Sequence, residues 1–162
     1  MSSLKGIEYF IALDTLSCSR IGLESLDVSK NLALTILNCY GNKLTSLDVS
    51  NNIALVKLFC DGNQLTSLDV SNNTALQYLY CHTNQLTNLD VSNNIALQEL
   101  SCSWNQLTEL DVSNNTNLNL LLLAGNIIRE EAMDVIINRV ATTNTRFVCM
   151  DWSCGFNFRI RW

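Results

Sequence analysis

Hydrophobic and polar positions follow one another along the chain in a pattern that repeats every 21 residues. The pattern L-x-x-L-x-C-x-x-N-x-L begins four times at that spacing, at Leu34, Leu55, Leu76 and Leu97. It recurs at Leu118, where Leu123 replaces the cysteine, and at Leu13, where Ile21 replaces the asparagine. Copies in a single register along most of the chain predict a repeat protein in which each copy is one structural unit.

Each repeat is predicted to contain one short strand. In the segment "LQYLYCHTN", Leu79 and Cys81 alternate with Tyr78, Tyr80 and His82. A period of two is typical of a strand that buries one face, so we expect the leucine and the cysteine to point inward. A single repeat buries too little apolar surface to offset the entropy of ordering its backbone, so the repeats must stack. The chain is therefore predicted to form a solenoid of stacked strands, turns and return segments.

Polar residues recur at the turns between these strands. Two rows of asparagine are expected to bond backbone groups of their own and the adjacent repeat. The first row is Asn42, Asn63, Asn84, Asn105 and Asn126, and the second is Asn52, Asn73, Asn94 and Asn115. A row of aspartates accompanies them at Asp27, Asp48, Asp69, Asp90 and Asp111. One carboxylate per repeat is too few for calcium, which takes about six to eight oxygen ligands, so these aspartates are predicted to stabilise turns.

The chain is predicted to be a single domain with a cap at each end. Residues 1–12 form an N-terminal half-repeat cap, residues 13–128 form six repeats, and residues 129–162 form a C-terminal cap. The N-terminal cap is expected to cover the first repeat with Leu4, Ile7, Tyr9 and Phe10.

The C-terminal cap is predicted to be a helix followed by a hairpin. The segment "IIREEAMDVIINRVA" places apolar residues on one helical stripe, at Ile128, Ala132, Val135, Ile136 and Val140. The segment "RFVCMDW" is expected to add a strand beside the last repeat, and the alternation in "GFNFRIRW" predicts a second strand. This aromatic strand belongs to the cap in our main interpretation. The alternatives are a dimer contact and a mobile tail.

The seven cysteines allow three interpretations: disulfide bonds, a metal site or core packing. Five of them keep the repeat period at an inward strand position, at Cys18, Cys39, Cys60, Cys81 and Cys102. Stacked strands lie about 4.8 Å apart, which exceeds the Cβ separation of a disulfide, and a straight row lacks the tetrahedral convergence of zinc ligands. We therefore predict a structural ladder of reduced thiols. Cys149 and Cys154 lie outside the ladder, and for them a local disulfide and two free thiols both stay open.

Composition and motifs argue against several functional classes. The net charge of -5 argues against nucleic acid, because phosphate binding needs clustered Lys and Arg. No apolar run reaches the roughly 18 residues of a membrane span, and Glu8 interrupts the first apolar stretch, so neither membrane insertion nor a signal peptide is expected. His82 is the only histidine, and strand alternation puts it on the opposite face from Cys81. With no nucleophile–base pair and no phosphate-binding or metalloprotease motif, we expect neither an enzyme nor a cofactor or metal.

The repeat resembles that of bacterial leucine-rich repeat proteins. Its cysteine at the third strand position and its recurring phrase "LTSLDVSNN" are most similar to the internalin-type subclass with 21-residue repeats, and to surface proteins of gut bacteria. The resemblance covers residues 4–128, and the opening "LKGIEYF" is similar to the lead-in of such arrays. It implies a leucine-rich repeat solenoid, a curved right-handed coil with a parallel sheet on its concave face and little helix outside the C-terminal cap. It also implies attachment to ligands or host surfaces, outside the cell or at its surface, rather than catalysis.

The outward positions of the strands vary between repeats, whereas the inward positions hardly change. Four aromatic residues lie at these outward positions, namely Tyr40, Phe59, Tyr78 and Tyr80. Lys57, Asp61, His82 and Glu99 offer polar contacts beside them, and Trp104 is placed at the rim. Exposed aromatic clusters favour protein partners or stacking against sugars, although aromatic residues also suit strands for structural reasons. We interpret this surface as the candidate ligand-binding face.

The sequence therefore predicts a non-enzymatic binding module. Its concave face is expected to recognise a protein partner, such as an extracellular host protein, in adhesion or host-surface recognition. Carbohydrate binding through the same aromatic residues is the alternative prediction. A third is a structural unit that self-associates as a homodimer through the C-terminal strand.

Overall fold

The computed structural model describes residues 2–141 and 146–148, with side chains described as far as residue 138. It contains seven strands of three residues each: β1 (Thr15–Ser17), β2 (Ile36–Asn38), β3 (Lys57–Phe59), β4 (Tyr78–Tyr80), β5 (Glu99–Ser101), β6 (Leu120–Leu122) and β7 (Arg146–Val148). A 3₁₀ turn at Ile7–Tyr9 precedes the strands, and one helix, α1 (Glu130–Ala141), lies between β6 and β7.

The seven strands form one parallel sheet in chain order. From β1 to β6, each residue pairs with the residue one repeat further on, so Leu58 pairs with Leu79 and Leu79 with Leu100. The constant repeat length produces this register, because each turn of the coil has 21 residues and therefore brings equivalent residues of successive repeats side by side. The predicted curved solenoid, with its sheet on the concave face, is confirmed.

The core runs along the solenoid axis and is built from the repeated leucines, valines and cysteines. Leu58, Leu79 and Leu100 are fully buried, as the period-two alternation predicts. The five ladder cysteines are buried free thiols that form no disulfide bonds, which confirms the predicted ladder. Burial raises the pKa of Cys18 to about 11 and that of Cys102 to about 12, so these thiols stay neutral at physiological pH. Cys149 and Cys154 lie outside the described residues.

The first asparagine row joins each repeat to the one before it. Asn84 Nδ2 donates to the carbonyl oxygens of Cys60 at 3.1 Å and Cys81 at 3.0 Å. Its Oδ1 accepts from the backbone N–H of Leu65 at 3.0 Å. The other members repeat this arrangement, so the predicted bonding to the same and the adjacent repeat is confirmed.

The second asparagine row bonds at the opposite turn. Asn73 Nδ2 donates to the carbonyl oxygens of Val49 at 3.1 Å and Asn52 at 2.9 Å. The row begins one repeat earlier than predicted, at Asn31, whose Nδ2 donates to the carbonyl oxygens of Ile7 and Phe10. This row therefore also anchors the N-terminal segment to the array.

The aspartates of the "LDVS" segments close turns, as predicted. Asp69 Oδ1 accepts from the backbone N–H of Ser71 at 2.9 Å. The side-chain and backbone hydrogen bonds from Ser71 lower the pKa of Asp69. Within residues 2–138, no group of three or more His, Cys, Asp or Glu side chains is arranged to hold a metal ion.

The C-terminal helix packs on the last repeat with a different face from the predicted one. Met133 and Ile136 are buried, whereas Val135, which we predicted to face inward, is exposed. Successive helical residues turn by about 100°, so a stripe through 132, 133, 136 and 137 leaves position 135 on the outer side. The strand β7 pairs in parallel with β6, as expected for the segment after the helix. The second predicted strand, in residues 156–162, lies outside the described residues, as does the side chain of Val140.

The N-terminal segment covers the first repeat only in part. Leu4 and Ile7 pack against the core as predicted. Tyr9 and Phe10 are exposed, so the prediction was wrong for these two residues. Successive residues of a 3₁₀ turn lie about 120° apart, so Tyr9, two residues after Ile7, cannot share the face that Ile7 turns to the core. Phe10 follows the turn and has already left its conformation, with φ of -89° and ψ of 64°. No helix in the described part of the chain is long and apolar enough to cross a membrane.

Candidate binding face on the concave sheet

The repeat register gathers most of the predicted site residues into neighbouring columns. We call the following set the concave patch: Tyr40, Lys57, Phe59, Asp61, Tyr78, Tyr80, His82, Glu99 and Trp104. Lys57, Tyr78 and Glu99 are paired in register at the first outward position of their strands. Phe59 and Tyr80 are paired at the next outward position. The spacing of the repeats therefore brings together residues that lie 21 or 42 positions apart in the sequence.

Tyr80 lies at the centre of the patch and is held by two neighbours. The Phe59 and Tyr80 rings meet edge to face, with centroids 5.2 Å apart and planes at 88°. The Tyr80 hydroxyl donates to Glu99 Oε2 over 2.5 Å. This hydrogen bond to the carboxylate, together with partial burial, raises the pKa of Tyr80 to about 12. Tyr80 is therefore a neutral, oriented side chain on a half-buried surface.

Tyr78 is ordered by contacts on its face and at its hydroxyl. Lys57 Nζ lies 4.8 Å from the centroid of the Tyr78 ring, within the range of a cation–π interaction. The Tyr78 hydroxyl donates to Gln98 Oε1 at 3.3 Å. Gln98 was missed by the sequence analysis because it precedes its strand, where the period-two pattern does not reach.

Asp61 and His82 form a polar pair beside the aromatic residues. His82 Nε2 lies 3.4 Å from Asp61 Oδ2, and His82 Nδ1 lies 3.1 Å from Thr83 Oγ1. Asp61 is buried, whereas the sequence analysis placed it as an open polar contact. Burial raises the pKa of the Asp61 carboxyl, and the neighbouring His82 offsets part of this rise. Asp61 thus supports His82 from beneath the surface.

We expect Asp61→Asn to raise the free energy of unfolding by about 1 kcal/mol near pH 8, since it removes the cost of burying a charge. This gain should shrink as the pH falls. In the wild type the raised pKa of Asp61 makes the folded state take up a proton more readily than the unfolded state, so stability increases on acidification.

Urea unfolding of both proteins between about pH 8 and pH 4 measures this dependence. Asp69→Asn is the matched control, because the hydrogen bonds from Ser71 lower the pKa of Asp69. The stability difference between the wild type and this control variant should stay nearly constant over this range, because the lowered pKa of the folded state and the ordinary pKa of the unfolded state both lie below it. A pH-independent difference between wild type and Asp61→Asn would contradict the prediction.

A left-handed backbone position places three side chains along one rim of the sheet. This position follows each strand and is occupied by glycine in three repeats, at Gly41, Gly62 and Gly125. In the other three repeats it carries Arg20, Thr83 and Trp104, with φ of 56°, 56° and 55°. A side chain in this region costs about 1–2 kcal/mol. The sequence signal is that the position two residues after the ladder position is glycine in some repeats and a larger residue in others, which the sequence analysis did not use.

Arg20 and Trp104 show what this rim position does. The Arg20 guanidinium carbon lies 4.6 Å from the centroid of the Tyr40 ring, so Arg20 joins the patch although the sequence analysis missed it. Trp104 is 59% exposed. Its ring lies against Gly125, where an added Cβ would come within 2.6 Å of Trp104 Cε3. The glycine therefore provides the space in which the indole rests at the rim.

Solved structures contain close counterparts of this solenoid. The functional domain of InlJ from Listeria monocytogenes, which includes a cysteine ladder, is 36% identical with a TM-score of 0.69, over 93% of this chain and 37% of that chain. An internalin, InlF, from Listeria monocytogenes is 27% identical with a TM-score of 0.82, over 87% of this chain and 42% of that one. The chain thus spans less than half the length of either protein.

A further likeness concerns the fold alone. Internalin C2 from Listeria monocytogenes is 24% identical with a TM-score of 0.79, over 97% of this chain and 72% of that chain. No protein-family model matches the sequence, and none of the curated proteins does. The repeat length, the cysteine ladder and the likenesses to InlJ and InlF together identify the chain as a bacterial leucine-rich repeat protein of the internalin type.

Proposed function

We propose that this protein is a non-enzymatic binding module whose concave patch recognises another protein, in adhesion or in recognition of a host surface outside the cell. One observation supports this most directly: the aromatic side chains of the patch are held in fixed orientations while part of their surface stays exposed. Tyr80 is fixed by Phe59 and Glu99. Tyr78 is fixed by Lys57 and Gln98.

Fixed aromatic residues favour binding for an energetic reason. Association costs free energy for every side chain that must be immobilised, and side chains ordered beforehand avoid much of that cost. Tyrosine, tryptophan and arginine are also the residues that most often dominate the energy of protein interfaces. The patch combines Tyr78 and Tyr80 with Arg20 stacked on Tyr40, and Trp104 lies at the rim.

The chemistry of the patch supports binding over catalysis. The Cys81 thiol is fully buried, and this burial raises its pKa well above the ordinary value, so it is a poor nucleophile. His82 lies on the opposite face of the strand and contacts Asp61 and Thr83. His82 and Asp61 therefore form a polar pair beside the aromatic residues.

Replacing Tyr78 and Tyr80 together with alanine should weaken partner binding by at least about 100-fold, since two central aromatic anchors are lost. The experiment screens the purified chain against extracellular host proteins and measures each hit with the wild type and the double variant. Tyr9→Ala is the matched control, because Tyr9 is an exposed tyrosine away from the patch. Unchanged circular dichroism would show that the double variant keeps the fold. Retained affinity in the folded double variant would contradict the assignment of the patch.

Carbohydrate is the second candidate ligand class, and the exposed indole of Trp104 is the observation that favours it. The ring rests against Gly125, and such a surface is suited to stacking against a sugar. A glycan library screened with the wild type and with Trp104→Ala tests this candidate. Weak, glycan-selective binding that survives high salt and is lost in Trp104→Ala would support it over a protein partner.

A further inference from the structure

Asp61 is the only charged residue that is buried among residues 2–138, and it belongs to the concave patch. It is 7% exposed. The repeat spacing places it between Tyr40 and His82, which hold the same position in the two neighbouring repeats. Moving a carboxylate out of water costs free energy unless the charge is paired and hydrogen-bonded. A buried carboxylate at this place therefore requires groups that satisfy it.

The contacts that Asp61 makes within the chain leave its carboxylate largely unsatisfied. Its Oδ2 lies 3.4 Å from His82 Nε2, which is longer than an N–H···O hydrogen bond of about 2.7–3.2 Å. Apart from its own backbone N–H, no group in the described part of the chain donates a hydrogen bond to this carboxylate. An ionised carboxylate accepts hydrogen bonds at about four lone-pair sites. Most of this acceptor capacity is therefore unused.

No lysine or arginine among the described residues pairs with Asp61. The two cations on the concave face, Lys57 and Arg20, each lie over a tyrosine ring, at 4.8 Å and 4.6 Å from the ring centroids. Neither forms an ion pair with Asp61, whose one ion-pair contact within residues 2–138 is with His82. The sequence contains no Lys or Arg from residue 58 to residue 128. A permanent cation for this carboxylate therefore has to come from another molecule.

The side chain that covers Asp61 belongs to the surface. The His82 side chain is 37% exposed. Its ring is held by the long contact to Asp61 and by one contact of 3.1 Å to Thr83 Oγ1. Exposed side chains change rotamer within nanoseconds, so the ring is free to turn aside for a group that bonds the carboxylate more strongly. A charged donor is such a group, because charge-assisted hydrogen bonds are about twice as strong as neutral ones.

Asp61 also lowers the stability of the fold. Burial raises the pKa of its carboxyl, and this rise reflects the cost of keeping the charge away from water. The turn aspartate Asp69 differs, because its Oδ1 accepts from the backbone N–H of Ser71 at 2.9 Å. Residues that lower stability within a binding surface are typical of functional sites, where binding and stability make opposite demands.

From these features, and on the basis of the proposed function, we infer that Asp61 anchors a cation subsite in the concave patch and receives a lysine or arginine side chain of the protein partner. The ammonium or guanidinium group of that side chain donates to the carboxylate in place of His82. The aromatic neighbours of the subsite are Tyr40, in the adjacent repeat, and Phe59, two residues earlier in the chain. Aromatic rings also attract cations, so they act in the same direction as the carboxylate.

Three blocked amino acids test the subsite without a protein partner. N-acetyl-arginine methylamide and N-acetyl-lysine methylamide carry the charge, and N-acetyl-citrulline methylamide is the uncharged match to the arginine probe. Each is titrated into the purified chain while the backbone amide NMR signals of Asp61, Gly62 and His82 are followed. We expect the charged probes to bind with dissociation constants on the order of 1 mM, and the citrulline probe at least about tenfold more weakly. Equal binding of the arginine and citrulline probes would overturn the inference, as would no binding of either charged probe up to about 50 mM.

Asp61→Asn should weaken the binding of both charged probes by at least about tenfold. This variant is expected to fold, because the substitution removes the cost of a buried charge. Asp69→Asn is the matched control, since Asp69 is an exposed aspartate in a turn outside the patch, and it should leave probe binding unchanged. Probe binding that Asp61→Asn keeps would show that the cation is held elsewhere.

A protein partner from the screen separates this inference from the proposed function. Asp61→Asn should lower the affinity of that partner by at least about tenfold. A partner whose binding is lost in Tyr78→Ala/Tyr80→Ala but kept in Asp61→Asn would overturn the subsite and leave the proposed function standing. Selective binding of the charged probes, with no protein hit that the tyrosine variant loses, would contradict the proposed function and leave the cation subsite standing.

Discussion

Asn84→Ala is expected to lower the free energy of unfolding by about 3–5 kcal/mol, because each buried polar group that loses its partner costs about 1–3 kcal/mol. The substitution removes three hydrogen bonds of 3.0–3.1 Å to the backbone, which involve Cys60, Cys81 and Leu65. It also removes a longer contact of 3.5 Å to the carbonyl oxygen of His82. Two of these backbone groups belong to the preceding repeat. Alanine leaves no side chain to replace the bonds, and the site is closed to bulk water.

Chemical denaturation followed by circular dichroism measures this loss, with Asn93→Ala as the matched control. Asn93 is exposed and makes one side-chain bond, at 3.3 Å to the Ser71 carbonyl oxygen, so its loss should cost less than about 0.5 kcal/mol. Asn73→Ala should lie between the two, since Asn73 Oδ1 is buried without a donor and only its two donated bonds are lost. Equal stability of Asn84→Ala and Asn93→Ala would refute the role we assign to the first asparagine row.

Leu79→Ala should cost about 2–5 kcal/mol of unfolding free energy, since it leaves a cavity in a close-packed interior. Leu79 is fully buried and lies in register between Leu58 and Leu100. In a solenoid each repeat contacts only its neighbours, so a loss in the central repeat weakens both of its interfaces.

Ile95→Ala is the control for this second prediction, because Ile95 is a large apolar side chain that is mostly exposed. Its removal should change the free energy of unfolding by less than about 0.5 kcal/mol. Thermal and urea unfolding of both variants provide the comparison. A difference of less than about 1 kcal/mol between the two variants would contradict the prediction, because it would show that the packing of Leu79 contributes little to stability.

The framework of the repeats was predictable from the sequence. The equivalents of Leu79, Cys81 and Asn84 recur at fixed spacing, and each copy takes the same position and makes the same contacts in its own repeat. Their environment is set by the neighbouring repeats, which have nearly the same sequence. For such residues the repeat period predicts the tertiary contacts, because residues that lie one repeat apart in the sequence are neighbours in the structure.

The ends of the array and part of the patch were less predictable. Val135 was assigned to the wrong face of α1, since an apolar residue next to a stripe is compatible with more than one rotation of the helix. Tyr9 and Phe10 were expected to be buried, but both are exposed, Tyr9 on the outer side of the 3₁₀ turn and Phe10 directly after it. Asp61 was expected to offer an open carboxylate and is instead covered and paired with His82. These residues have no equivalent copy that restricts their environment.

The candidate patch divides in the same way. Its members could be chosen from the sequence, because period-two alternation identifies the outward positions of each strand. The contacts that orient these side chains could not be predicted, and neither Gln98 nor Arg20 was recognised as a neighbour of the tyrosines. Side-chain orientation depends on hydrogen bonds and ring contacts between adjacent repeats, and the outward residues differ in every repeat.

By itself, the sequence determined the solenoid, its register, the thiol ladder, the asparagine rows and the aspartate turns. These features follow from local period and from the need to satisfy backbone groups in every repeat. The tertiary structure alone decided the rotation of α1, the exposure of Tyr9 and Phe10, the burial of Asp61 and the orientation of the aromatic side chains. The physical reason is that these features arise where a repeat meets something other than another copy of itself, so no repeated pattern in the sequence specifies them.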